Sequence, residues 1–338
     1  MMTKIINRSV LLLLIALSSC NSDDDQNVTS IEIPQSITIN SSGLFPEGIV
    51  YDDVEKVFYT SSVNLGKISK VALDGTTTDF ITENGLVSTL GLTIDKQNRR
   101  LIVCNTDPGF GVNSTDNTLF KLANVLIFDL DTKDKLADYD LSDLVQGETP
   151  NLVNDAVVGG NGYIYVTNSV TPAIYKIDPR SRIAEVFVVD ERFTPIQGFG
   201  LNGLVYHPDG YILVGHYDSG SLYKIPENFT NPDEIIKVEL SEPVNTIDGI
   251  EILSSTEIAV ASNGAGEGLD RVYRISTSDN WINGSVIGSF DAENSFPTTM
   301  SLTKDGLYVL KSYLPFLLPN NPNQDTLWKE YIIERVSF

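Results

Sequence analysis

The chain has 338 residues, 41% hydrophobic and 20% charged, with 25 Gly and 15 Pro, a balance that buries a large core and excludes a disordered or collagen-like chain. Its 23 Lys and Arg against 45 Asp and Glu leave a net charge of -22, so a phosphate backbone is repelled over most of the surface and the composition argues against nucleic acid as a partner. The length suits either one large β domain or two ordinary domains.

Lys4 and Arg8 precede the apolar run from Val10 to Leu17, which reads as the charged and apolar regions of a secretory signal over residues 1–19, too short to span a bilayer. The run ends Leu17-Ser18-Ser19-Cys20 and resembles a lipobox, with Cys20 as the lipidated residue of the mature protein. Asn21-Ser22-Asp23-Asp24-Asp25 follows directly. This acidic stretch resembles the surface-export signal of Bacteroidetes lipoproteins and implies an outer-membrane lipoprotein displayed at the cell surface, with the periplasmic face as the alternative. Residues 20–40 are expected to form an acidic tether and an edge strand, with Pro34 breaking an alternating stretch from Ile31 to Ile39.

From residue 41 to 338 the chain is a series of short β-branched and aromatic runs separated by Gly, Asn and Asp turns, with no long amphipathic helix. The class predicted is all-β. A unit recurs in which a small polar pair opens an alternating strand and a turn leads into a second strand. The openings are Glu47-Gly48, Leu90-Gly91, Asn154-Asp155, Asn202-Gly203, Asp248-Gly249 and Thr298-Thr299. Most fall at the spacing of a four-stranded blade, about 40–50 residues, and together they predict a six-bladed β-propeller. The longest interval leaves room for an insertion around Phe110 to Leu122, rich in Gly, Asn and Thr. The C-terminal run from Lys329 to Val336 can supply the closing blade with a strand and so remove a free edge. Cys104 follows Leu101, Ile102 and Val103 and reads as a buried small hydrophobe rather than a catalytic thiol.

In a propeller the first strand of each blade lines the central channel, so the openings converge from distant parts of the chain. Glu47, Asn154, Asn202 and Asp248 then form an all-oxygen set suited to Ca²⁺ or another divalent cation, and the scarcity of His and thiol argues against zinc. The bland alternative is that these Asn and Asp residues only shape turns. His207 is expected in a solvated turn and His216 at a strand end facing the loops, where it is a candidate proton shuttle. Asp218 and Asn105 occupy comparable strand ends and are candidates for supporting the ligands.

Phe45-Pro46-Glu47-Gly48, Val153-Asn154-Asp155, Leu201-Asn202-Gly203-Leu204 with Pro208-Asp209-Gly210, and Ile247-Asp248-Gly249-Ile250 together resemble the regucalcin/gluconolactonase family, with wider similarity to strictosidine synthase-like and paraoxonase-like propellers, from residue 45 to about residue 311. The resemblance implies that Glu47, Asn202 and Asp248 bind a divalent cation, that Asn154 lies at both metal and substrate, and that the reaction is hydrolysis of a lactone, with Asp248 as ligand, as proton acceptor or as both. Leu152 stands where sugar-lactone members often have Arg, which weakens the case for a sugar acid. The competing expectations are a non-catalytic surface propeller that captures a nutrient or a protein partner, and a purely structural cation.

Overall fold

The computed structural model describes residues 32–147, 149–266 and 269–338. Cys20 and the acidic triplet lie outside the described residues. Residues 33–338 form one compact unit built from strands and a few short 3-10 turns, with no α-helix among the described residues.

The strands form six antiparallel four-stranded units. Their inner strands are Ile49–Asp52, Ser88–Asp95, Val153–Val158, Leu201–His207, Ile247–Ser254 and Pro297–Thr303, one at each predicted opening. Each inner strand lies beside that of the next unit, and the sixth lies beside the first. The ring is therefore closed, and the fold is the expected all-β propeller. The fourth and fifth units are joined into one eight-stranded sheet, because their outermost strands Ile236–Leu240 and Asn283–Asp291 pair in parallel at Glu239↔Asn283 and Leu240↔Gly284.

Both ends of the described chain meet in the sixth unit. Its third strand, Glu330–Arg335, is covered by the N-terminal strand Ser36–Asn40, paired antiparallel from Ser36↔Glu334 to Asn40↔Glu330. The alternation of this strand explains its place: Ile37 and Ile39 are buried while Ser36, Thr38 and Asn40 face water. The core lies between neighbouring units, as where Ile102 and Val125 of the second meet Val166 and Tyr175 of the third. Cys104 is buried in that layer, and burial pushes its thiol pKa up, the state of an unreactive thiol.

The openings owe their function to a defect in pairing. In five units the register shifts between the residues that flank the pair: Thr89/Leu92, Val153/Ala156, Leu201/Leu204, Ile247/Ile250 and Pro297/Met300. Each opening pair is thus a β-bulge, which re-aims its side chains out of the ordinary alternation. In the first unit the pair precedes the strand, and Ser61 Oγ accepts the N–H groups of Glu47 and Gly48. Where the pair carries a glycine, that residue answers to close approach. A Cβ on Gly203 would stand 2.3 Å from the Asp248 carbonyl oxygen, and one on Gly249 would stand 2.6 Å from that of Thr298. Each glycine therefore lets the opening of the next unit close against its own.

Candidate functional site

All four residues expected from the sequence line one cavity of about 190 Å³, to which every one of the six units contributes. Glu47 comes from the first unit, Asn154 from the third, Asn202 from the fourth and Asp248 from the fifth. Each is no more than 8% exposed.

Their hydrogen bonding is incomplete. Glu47 Oε2 and Asn154 Oδ1 are buried without a partner, an arrangement that costs about 1–3 kcal/mol per group unless something occupies the site. Asp248 is held more firmly: its Oδ2 accepts from Asn263 Nδ2 at 2.6 Å, and its carboxylate also takes a hydrogen bond from the Asn202 side chain. Asn263 is fixed in turn by the Tyr217 hydroxyl, which donates to its Oδ1 at 2.7 Å. The sequence reading missed Asn263 and Tyr217. Their only signal is position, at and just beyond the ends of the second strands Glu257–Ser262 and Tyr211–His216.

The electrostatics point the same way. Burial, then the charges of Asp248 and Asp155, hold the Glu47 carboxyl well above its usual range. Burial also raises Asp248, against the hydrogen bonds from Asn263 and Asn202 and with Asp155 adding to the rise. Asp155 itself is pushed up to about 7 by burial, against N–H donors at Ala156 and Leu204. No Lys, Arg or His lines the cavity. Buried carboxylates with no cationic side chain and two unpartnered oxygens fit a hard cation with oxygen ligands. Among the described residues no group of three or more His, Cys, Asp or Glu is placed to hold a metal ion by itself, and two of the four donors here are amides.

Carbon dominates above this floor. The expected insertion runs in turns without a strand and is tied to Asp107, whose carboxylate accepts from Gly109 N, Ser114 Oγ and Thr118 Oγ1. This brings Pro108 and Phe110 to the cavity. Asp218 was expected near the ligands, but its carboxylate instead accepts the backbone N–H groups of Ile196, Gln197, Gly198 and Phe199, folding the loop that delivers Phe199. Asn105 likewise serves a loop, accepting from Val87 N and donating to Gly85 O. The sequence reading gave no role to the 3-10 turn Leu314–Leu317, which adds Leu314, Pro315 and Leu317 to the wall.

The histidines stand elsewhere. His207 is not solvated as expected: it is 1% exposed, its Nε2 is 2.7 Å from Ser255 O, its Nδ1 accepts from Asp209 N, and its ring stacks on Tyr211 at 4.2 Å. His216 is also buried, with Nε2 3.1 Å from Thr194 O, and burial lowers its pKa. It is not among the residues lining the cavity.

No family model and no curated protein sequence matches the chain. Solved structures do, at low identity. The major allergen Mala s 1 of Malassezia sympodialis superposes with a TM-score of 0.68 at 14% identity, over 90% of this chain and 96% of that one. A gluconolactonase of Xanthomonas campestris gives 0.57 at 15% identity, over 88% of each chain. Virginiamycin B lyase from Staphylococcus aureus gives 0.53 at 13%, over 88% of this chain and 98% of that one. These proteins differ in what they do, and the likeness establishes the propeller fold alone.

Proposed function

We propose that the chain is a divalent-cation-dependent hydrolase of lactones, held at the outer membrane and facing the cell surface through a lipid on Cys20. The observation that carries the catalytic part is the pair of buried, unpartnered oxygens, Glu47 Oε2 and Asn154 Oδ1, on the floor that they share with Asn202 and Asp248. A gluconolactonase among the similar folds supports the reaction class. Glu47, Asn154, Asn202 and Asp248 would hold Ca²⁺ or another divalent cation, which when bound polarises an ester carbonyl and stabilises the negative charge that develops on its oxygen.

The side chains of the floor supply the rest. Asn154, whose Oδ1 is buried without a partner at the cavity, orients the ring. Asp248 takes the proton from the attacking water. The water oxygen bonds to the carbonyl carbon, the ring carbon–oxygen bond breaks, and the proton passes to the departing alkoxide, so that lactone and water give one hydroxy acid. Asn263, itself anchored by Tyr217, keeps the Asp248 carboxylate oriented.

A panel of γ- and δ-lactones tests this, with ring opening followed by acid release with Ca²⁺ and with chelator. Turnover is expected with at least one lactone, lost on chelation and restored by Ca²⁺. Asp248→Asn is expected to reduce it by about 100-fold or more. No ring opening across the panel with the cation bound would leave a propeller that only captures its ligand.

A further inference from the structure

The lining of the cavity divides sharply into a small polar set and a larger apolar one. Polar side chains in the lining are confined to Glu47, Asn154, Asn202 and Asp248, together with Tyr217, whose hydroxyl donates to Asn263. Leu90 and Leu152, 5% and 2% exposed, line the same cavity and are as deeply buried as those four. Half-buried Phe110, Phe199, Phe296 and Leu314 line the cavity further out. No Ser, Thr, Lys, Arg or His contributes to the lining.

We infer that the occupant is a ring carbonyl compound with a carbon body, an alkyl- or aryl-substituted lactone, and that the cavity selects it against a polyhydroxylated sugar lactone. The inference rests on the proposed function only for the carbonyl end, which faces the four floor residues. A sugar lactone would carry its ring hydroxyls against Leu90, Leu152 and the phenylalanines, and each hydroxyl stripped of water without a partner lowers affinity by about tenfold or more. A methylene in the same place gains about fourfold. Size agrees: an apolar cavity of about 150 Å³ takes benzene, so the 190 Å³ here holds one five- or six-membered ring and a few further carbons. Phe110 and Phe199 are placed by loops that Asp107 and Asp218 fold through several hydrogen bonds each, so these walls are set before the ligand arrives.

Ring amides resist hydrolysis and separate binding from turnover. Calorimetry on the Ca²⁺-loaded protein would compare δ-valerolactam, its 6-propyl and 6-pentyl derivatives, and gluconolactam. Affinity is expected to rise about threefold to fourfold per methylene until the chain leaves the cavity, with gluconolactam the weakest of the set. Phe110→Ser and Phe199→Ser should each flatten that rise while leaving Ca²⁺ affinity unchanged. Gluconolactam binding as tightly as the propyl derivative, or affinity independent of chain length, would overturn the inference. Alkyl lactams that bind while no lactone is opened would sustain it and remove the hydrolase reading. Gluconolactone that is opened while alkyl lactams fail to bind would do the reverse.

Discussion

Buried carboxylates stay ionised only where a cation or several donors meet them, and Glu47, Asp155 and Asp248 sit together with no basic side chain lining the cavity. A fourth acid, Glu251, lies three residues along the same inner strand from Asp248, and burial pushes it up to about 7, against N–H donors at Leu302 and Ile252. Unfolded, it ionises near its ordinary value. Between the two values the folded chain retains a proton that the unfolded chain releases, so Glu251 costs nothing in acid, destabilises progressively as pH rises to about 7 and adds nothing further above it. Glu251→Gln should therefore raise stability by about 1–2 kcal/mol at pH 8 and by nothing measurable at pH 4, read from urea midpoints. The reverse order, a gain in acid and none at pH 8, would refute the assignment. The four floor residues were legible in the sequence because a polar residue recurs at one phase of the repeat. Asn263 and Tyr217 were not, since a residue at a strand end carries no periodic mark. His207 was misread because a His-Pro-Asp-Gly turn reads as solvated, while the stack on Tyr211 that buries it is set by the hairpin register.

At the scale of the strand, the pair that opens five of the six units is a bulge, and Gly203 and Gly249 are needed for contact with the next unit rather than for a turn. Gly203→Ala places a methyl group against the Asp248 carbonyl, between two backbones that cannot rotate away. We expect a loss of about 1–3 kcal/mol or more, together with weaker cation binding, because Asp248 is displaced. Gly198→Ala is the control: its Cβ meets nothing within 4 Å, and its effect should stay within about 0.5 kcal/mol. Equal effects of the two substitutions on melting would contradict the close-packing account. Second strands were readable because both of their faces are buried, and inner strands because the opening pair recurs near their starts. Outer strands such as Lys135–Asp140, which alternates weakly and is largely exposed, lack that signal, and so does the parallel pairing of Ile236–Leu240 with Asn283–Asp291. The wall-forming turn Leu314–Leu317 escaped notice because a short apolar run containing Pro315 fits neither strand nor helix period.

The ring as a whole is closed by its own ends, with Ser36–Asn40 laid over Glu330–Arg335, so the central site depends on all six units being in place. The proposed anchor precedes that closing strand. Among the described residues no helix is long and apolar enough to cross a membrane. Cys20→Ala is expected to release the protein from the membrane fraction or to leave it as an unprocessed precursor; unchanged membrane partitioning with normal processing would refute the lipid attachment. The net charge of -22 draws divalent cations loosely to the surface, and about 0.15 M salt screens that attraction beyond roughly 8 Å while leaving a buried site intact. Calorimetric Ca²⁺ titration at that salt concentration, for the wild type beside Glu47→Gln, is accordingly the most direct test of the account. One saturable site per chain, lost or weakened at least tenfold in Glu47→Gln, is the predicted result. The absence of a saturable site, or one that Glu47→Gln leaves unchanged, would contradict it.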